Sequence, residues 1–110
     1  MLENTYTLEN GIKIPKLGLG TWFIDDSEVA EAVREAVKIG YRMIDTAQAY
    51  GNERGVGEGV RTCGIPREDL FVVSKVAAEH KTYEQAMAGM DETLKKMELY
   101  YQDFFRVFAF

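Results

Sequence analysis

Three short apolar runs recur along this chain at nearly constant spacing, and they restrict what it can fold into more than any other feature. They begin at Tyr41, at Leu70 and at about Asp103, which is 29 and then 33 residues apart. Helix-like stretches fill the intervals. Strand, helix, strand at about 30 residues per step is the βαβ unit, which pairs its strands in parallel through right-handed crossovers. The second run, Leu70-Phe71-Val72-Val73-Ser74, is continuously apolar, as expected of a strand covered on both faces.

The remaining elements follow from local chemistry. Thr5 to Leu8 and Ile12 to Ile14 flank Glu9-Asn10-Gly11, and Asn-Gly offers two positions that tolerate the positive φ of a tight hairpin turn. Pro15 ends that pattern, and Lys16 to Gly20 follows as a glycine-rich strand. Val29, Ala32, Val33, Ala36 and Val37 form one apolar helical stripe, which Asp26 or Ser27 would cap and Gly40 would end. A helix over about Asn52 to Arg61 is weakened by Gly55, Gly57 and Gly59. Thr82-x-x-Gln85 is a capping box opening a third helix, with Tyr83, Ala86, Met87, Met90, Leu94 and Met97 as its apolar stripe. A last strand runs from about Asp103 to Ala109. Nothing along the chain marks a linker, so residues 1–110 read as a single domain.

Composition narrows the class. Eighteen acidic against 13 basic residues give a net charge of -5, opposite to the basic stripe of a nucleic-acid-binding surface. The lone Cys63 forms no internal disulfide, and no apolar run reaches the roughly 18–20 residues that span a bilayer. Met1 to Thr7 lacks the basic-then-apolar pattern of a signal peptide. The expectation is a cytoplasmic protein that binds neither nucleic acid nor membrane.

The polar residues at the strand ends carry the chemistry. Thr21 and Trp22 follow the first strand, Asp45 ends the second, Tyr50 lies in the loop after it, and Lys75 ends the third. In parallel α/β folds that end of the sheet is the functional face, because the loops converge there. A phenol is a poor acid near neutral pH unless its anion is stabilised. A neighbouring ammonium does that, and a carboxylate keeps the ammonium charged and placed. Each residue also has a plainer reading: Asp45 as a turn former or cap, Lys75 as an exposed charge, Tyr50 as a packed loop aromatic. Gly18 and Gly20 lack the third glycine of a dinucleotide fingerprint. Cys63 has no cationic surroundings beyond Arg61, and His80 has no partners for a metal, so no metal site is expected.

Three blocks resemble one family. Asn10-Gly11-x-x-Ile14-Pro15-x-Leu17-Gly18-Leu19-Gly20-Thr21-Trp22 is similar to the opening of the aldo-keto reductases. Gly40-Tyr41-Arg42-Met43-Ile44-Asp45-Thr46-Ala47-x-x-Tyr50-Gly51-Asn52-Glu53 resembles their second-strand signature, and Arg67 to Lys75 their third. The blocks keep the family's order and spacing from about residue 5 to residue 107. The resemblance implies the N-terminal half of a (β/α)8 TIM barrel: a β-hairpin, about four parallel strands and three helices. It implies NADPH as cofactor and a small carbonyl compound as substrate. Tyr50 would donate the proton, Lys75 would favour its ionised form, Asp45 would hold Lys75, and Thr21, Trp22 and Asp45 would meet the cofactor.

Departures from the family pattern set further expectations. Phe108 stands where the family's histidine completes the tetrad, and Met43 where many members carry a histidine. A barrel of this kind takes about 250 residues, and the family's adenine and 2′-phosphate contacts come from later loops. The expectation for the chain alone is low or no reductase activity. The alternative is a catalytically inactive half-barrel that self-associates as a homodimer through open strand edges.

Overall fold

A computed structural model describes residues 5–76, 82–99 and 104–107. The chain opens with an antiparallel hairpin, β1 (Thr5–Thr7) and β2 (Lys13–Pro15), in which Tyr6 faces Ile14. Four strands then form a parallel sheet in the order β3-β4-β5-β6. They are β3 (Leu19–Gly20), β4 (Met43–Asp45), β5 (Phe71–Val76) and β6 (Phe104–Val107). Helices α1 (Val29–Lys38), α2 (Glu53–Thr62) and α3 (Tyr83–Met97) lie on the crossovers. This is the expected partial barrel: a hairpin, four parallel strands and three helices. Among the described residues, no helix is long and apolar enough to cross a membrane.

The core lies between the sheet and the helices. Val29, Val33 and Val37 of α1, Val56 and Val60 of α2, and Met97 of α3 close over Ile44 and Val72 of the central strands. Side chains alternate across a strand, so Ile44 and Val72, paired in register, share the helix-facing side. Each buried aliphatic side chain contributes about 1.5–3 kcal/mol. Phe71, Val72 and Ser74 are buried, whereas Val73 is half-buried. The expectation of equal cover on both faces of β5 therefore holds only in part among the described residues.

The glycines of α2 explain why a weak helix-former is helical here. A Cβ on Gly55 would strike the Asp26 carbonyl and Val29, and one on Gly57 would strike the Met97 backbone. At Gly59 it would come within 2.6 Å of Val33 Cβ. The same residues that cost intrinsic helicity let α1 and α3 approach α2 closely. Tertiary packing outweighs propensity in this element.

Several local expectations need correction. The hairpin turn places only Gly11 at positive φ, +85°, with its amide bonded to the Leu8 carbonyl. Asn10 instead accepts from the Ile12 amide through Oδ1. Helix α1 starts at Val29 after Glu28 and has no side-chain cap from either Asp26 or Ser27. Gly40 ends it at φ +111° as expected. Strand β4 begins at Met43 rather than Tyr41. On α3 the capping box of Thr82 and Gln85 is present, but the apolar stripe is buried only in part: Met97 is buried, and Ala86, Met90 and Leu94 are half-buried. Tyr83 is 79% exposed and Met87 40%, while Gly89, Thr93 and Met97 are buried at four-residue spacing. The helix turns its C-terminal half inward, and polar Thr93 is accepted there because it has a hydrogen-bond partner.

Candidate active site

Two turns of chain bring the predicted residues together at the C-terminal end of the sheet. Asp45 ends β4 in register with Val73 of β5. Lys75 lies two residues further along β5, hence on the same face. Its ammonium reaches back: Lys75 Nζ pairs with Asp45 Oδ1 and donates to the Thr46 carbonyl at 3.0 Å. Lys75 is only 8% exposed, and a buried charge persists only with such partners.

Tyr50 closes a short 3-10 turn, Gln48–Tyr50, followed by Gly51 at φ +71°. Gln48 ties that turn to α3, its Nε2 donating to the Gly89 carbonyl at 2.7 Å and to Thr93 Oγ1 at 3.1 Å. Tyr50 Oη thereby sits 3.5 Å from Lys75 Nζ, with the ammonium 5.2 Å from the ring centre. That oxygen–nitrogen distance is long for a hydrogen bond. Such contacts in unliganded sites commonly tighten when the reacting group arrives.

Trp22 and Phe23 form the adjoining wall. Their rings stack at 4.3 Å, and Trp22 lies 6.5 Å from the Tyr50 ring. Trp22 is 65% exposed and Phe23 84%. Phe23 holds φ +67°, a left-handed conformation that costs a bulky residue about 1–2 kcal/mol. Thr21 is fully buried, and its hydroxyl donates to the Asp45 carbonyl at 3.0 Å. The structure thus brings Asp45, Tyr50, Lys75 and Trp22 to one surface and sets Thr21 beneath it as a support. Phe108 and His80 lie outside the described residues. Met43 sits on β4 on the same side as Asp45, half-buried. Cys63 donates to the Val60 carbonyl at the end of α2, away from these residues.

Sequence reasoning missed a layer of buried polar side chains under the site. Asn52, Thr46, Ser74 and Glu53 are all buried. Thr46 Oγ1 donates to Asn52 Oδ1 at 2.9 Å, and Ser74 Oγ donates to Glu53 Oε2 at 2.7 Å. The available signal was the position of Asn52-Glu53 at the start of α2. Read locally, that position indicates a helix cap, yet Asn52 makes no side-chain cap. The cap comes from outside the helix: Asp26 Oδ1 accepts from the Gly55 amide at 2.8 Å, and Arg54 Nε donates to Asp26 Oδ2 at 2.6 Å. Partial burial works to raise the Asp26 carboxyl, but the bonds from Arg54 and the Gly55 amide outweigh it and hold the group below its ordinary value.

The chain matches the family described as Aldo/keto reductase family over residues 16–107. It is 44% identical over 105 residues to the 9,11-endoperoxide prostaglandin H2 reductase of Trypanosoma cruzi (strain CL Brener), covering 94% of this chain and 37% of that protein. It is 41% identical over 107 residues to the glyoxal reductase of Bacillus subtilis (strain 168), covering 96% and 39%. The crystal structure of an aldo/keto reductase from Brucella melitensis superposes with a TM-score of 0.91 at 42% identity, over 94% of this chain and 40% of that one. The chain therefore spans about two-fifths of the length of these relatives.

Proposed function

The chain belongs to the Aldo/keto reductase family, and from that premise we propose that it carries the proton-donating half of an NADPH-dependent carbonyl reductase. One observation supports this above the others: Lys75 Nζ lies between Asp45 Oδ1, the Thr46 carbonyl and Tyr50 Oη. In this reading Tyr50 gives its phenolic proton to the oxygen of a small carbonyl substrate as that carbon is reduced. The Lys75 ammonium then faces the phenolate, and Asp45 pairs with the buried ammonium and holds it in place. NADPH, when bound, supplies the hydride. Trp22 offers it a flat face beside Tyr50, and Asp45, whose side chain is 39% exposed, offers an acceptor. Thr21 acts through Asp45, holding its carbonyl from below. The chemistry of this donor set fits a nicotinamide ring. The test is consumption of NADPH with a reactive aldehyde. A rate that Lys75→Met leaves unchanged overturns the assignment.

A second reading rests on the sheet. Among the described residues β3 and β6 each have one neighbouring strand, and an unpaired edge is a template for another chain. Here the chain self-associates as a homodimer and turns over no carbonyl compound. Sedimentation together with NADPH titration separates the two readings. A folded monomer that binds NADPH saturably excludes the second, and a dimer without saturable binding excludes the first.

A further inference from the structure

We propose that Asn52 is a positioning residue that locks the aromatic loop Thr21–Ile24 and the lysine cradle into one arrangement; as a statement about catalysis this rests on the function proposed above. Asn52 is fully buried, and its amide has three contacts. Oδ1 accepts from Thr46 Oγ1 at 2.9 Å, while Nδ2 donates to the Thr21 carbonyl at 2.8 Å and the Ile24 carbonyl at 3.0 Å. Those two carbonyls bracket Trp22 and Phe23, and the Ile24 amide closes the turn by donating to the Thr21 carbonyl at 3.2 Å.

A strained residue persists only where its surroundings over-determine it. Phe23, left-handed and 84% exposed, makes little burial of its own to offset the strain. Asn52 donates to the carbonyls on either side of it, and the Thr21 carbonyl accepts in addition only the turn-closing Ile24 amide among the described bonds. On its other arm the same side chain holds Thr46, whose carbonyl accepts from Lys75 Nζ. One amide thus links the loop bearing Trp22 to the peptide that helps seat the ammonium.

An aspartate at this position would keep the size and an acceptor and lose both donations. Glu53, the next residue, shows the same bias toward the site. Its Oε2 accepts from Ser74, the neighbour of Lys75, and among the described residues its buried Oε1 meets no hydrogen-bond partner.

The test uses the full chain and Trp22, its single tryptophan. In Asn52→Asp the backbone order parameters of Trp22 and Phe23 are expected to fall from the rigid range, about 0.85, to below about 0.6, with far-UV circular dichroism unchanged. Rigid values in a folded Asn52→Asp protein overturn the proposal. If that variant fails to fold, Thr46→Val decides. It keeps both Nδ2 bonds and is expected to move the Lys75 Cε resonance, whereas a Lys75 signal identical to the unsubstituted chain overturns the proposal. Neither readout needs turnover. Absence of aldehyde-dependent NADPH consumption would remove the proposed function while leaving the loop result standing.

Discussion

Phe23 shows most plainly how one residue's backbone conformation bears on the site. At φ +67° it occupies the left-handed region, where a side chain is strained and glycine is not. Phe23→Gly is therefore expected to be more stable than Phe23→Ala by about 1 kcal/mol, the reverse of the order at an ordinary helical position. Urea unfolding of the two variants measures that difference directly, and the Ala variant proving the more stable would refute the strain. That Asp45, Tyr50 and Lys75 come together was legible from sequence, weakly from their positions at or near strand ends and more specifically from the family resemblance. Phe23 was not, since a left-handed φ at a bulky residue is imposed by Asn52 from 29 positions away and leaves no local mark.

At the scale of elements, α2 decides how the helices meet. Propensity alone makes Gly57→Ala stabilising by about 1 kcal/mol. Close contact with the Met97 backbone reverses that sign, since overpacking costs about 1–3 kcal/mol and backbone cannot swing aside. A lowered urea midpoint at unchanged slope is the expected result. The N-terminus of α2 is held by Asp26 from another loop, so Asp26→Ala is expected to lose about 0.5–2 kcal/mol, typical of a helix cap. The pH dependence has a definite sign. Because the folded Asp26 carboxyl lies below its ordinary value, its contribution is complete above that value and declines as pH falls through the lower, folded one. Acid titration of stability should lose this component in Asp26→Asn, and an unchanged acid limb would contradict it. Elements set by contiguous residues, such as the Thr82–Gln85 capping box and the hairpin, could be read from sequence. Of the buried face of α3 only Met97 could: Thr93 and Gly89 are drawn inward by Gln48, 41 or more residues away, while Tyr83 and Met87 turn outward.

For the whole molecule, the parallel pairing of β4, β5 and β6 followed from strand spacing and the fourth parallel strand from the family resemblance; the sheet order β3-β4-β5-β6 and the superposition on a solved aldo/keto reductase agree with both. The chain spans about two-fifths of such proteins, and within that part the structure gathers Asp45, Tyr50 and Lys75. The central proposal is that the Tyr50 phenol supplies the proton to a carbonyl oxygen. The most direct measurement is aldehyde-dependent NADPH oxidation by the chain and by Tyr50→Phe, which keeps the ring and removes only the hydroxyl. Loss of a general acid predicts a fall of about 10²–10⁴-fold in Tyr50→Phe; equal rates for the two proteins would contradict the account.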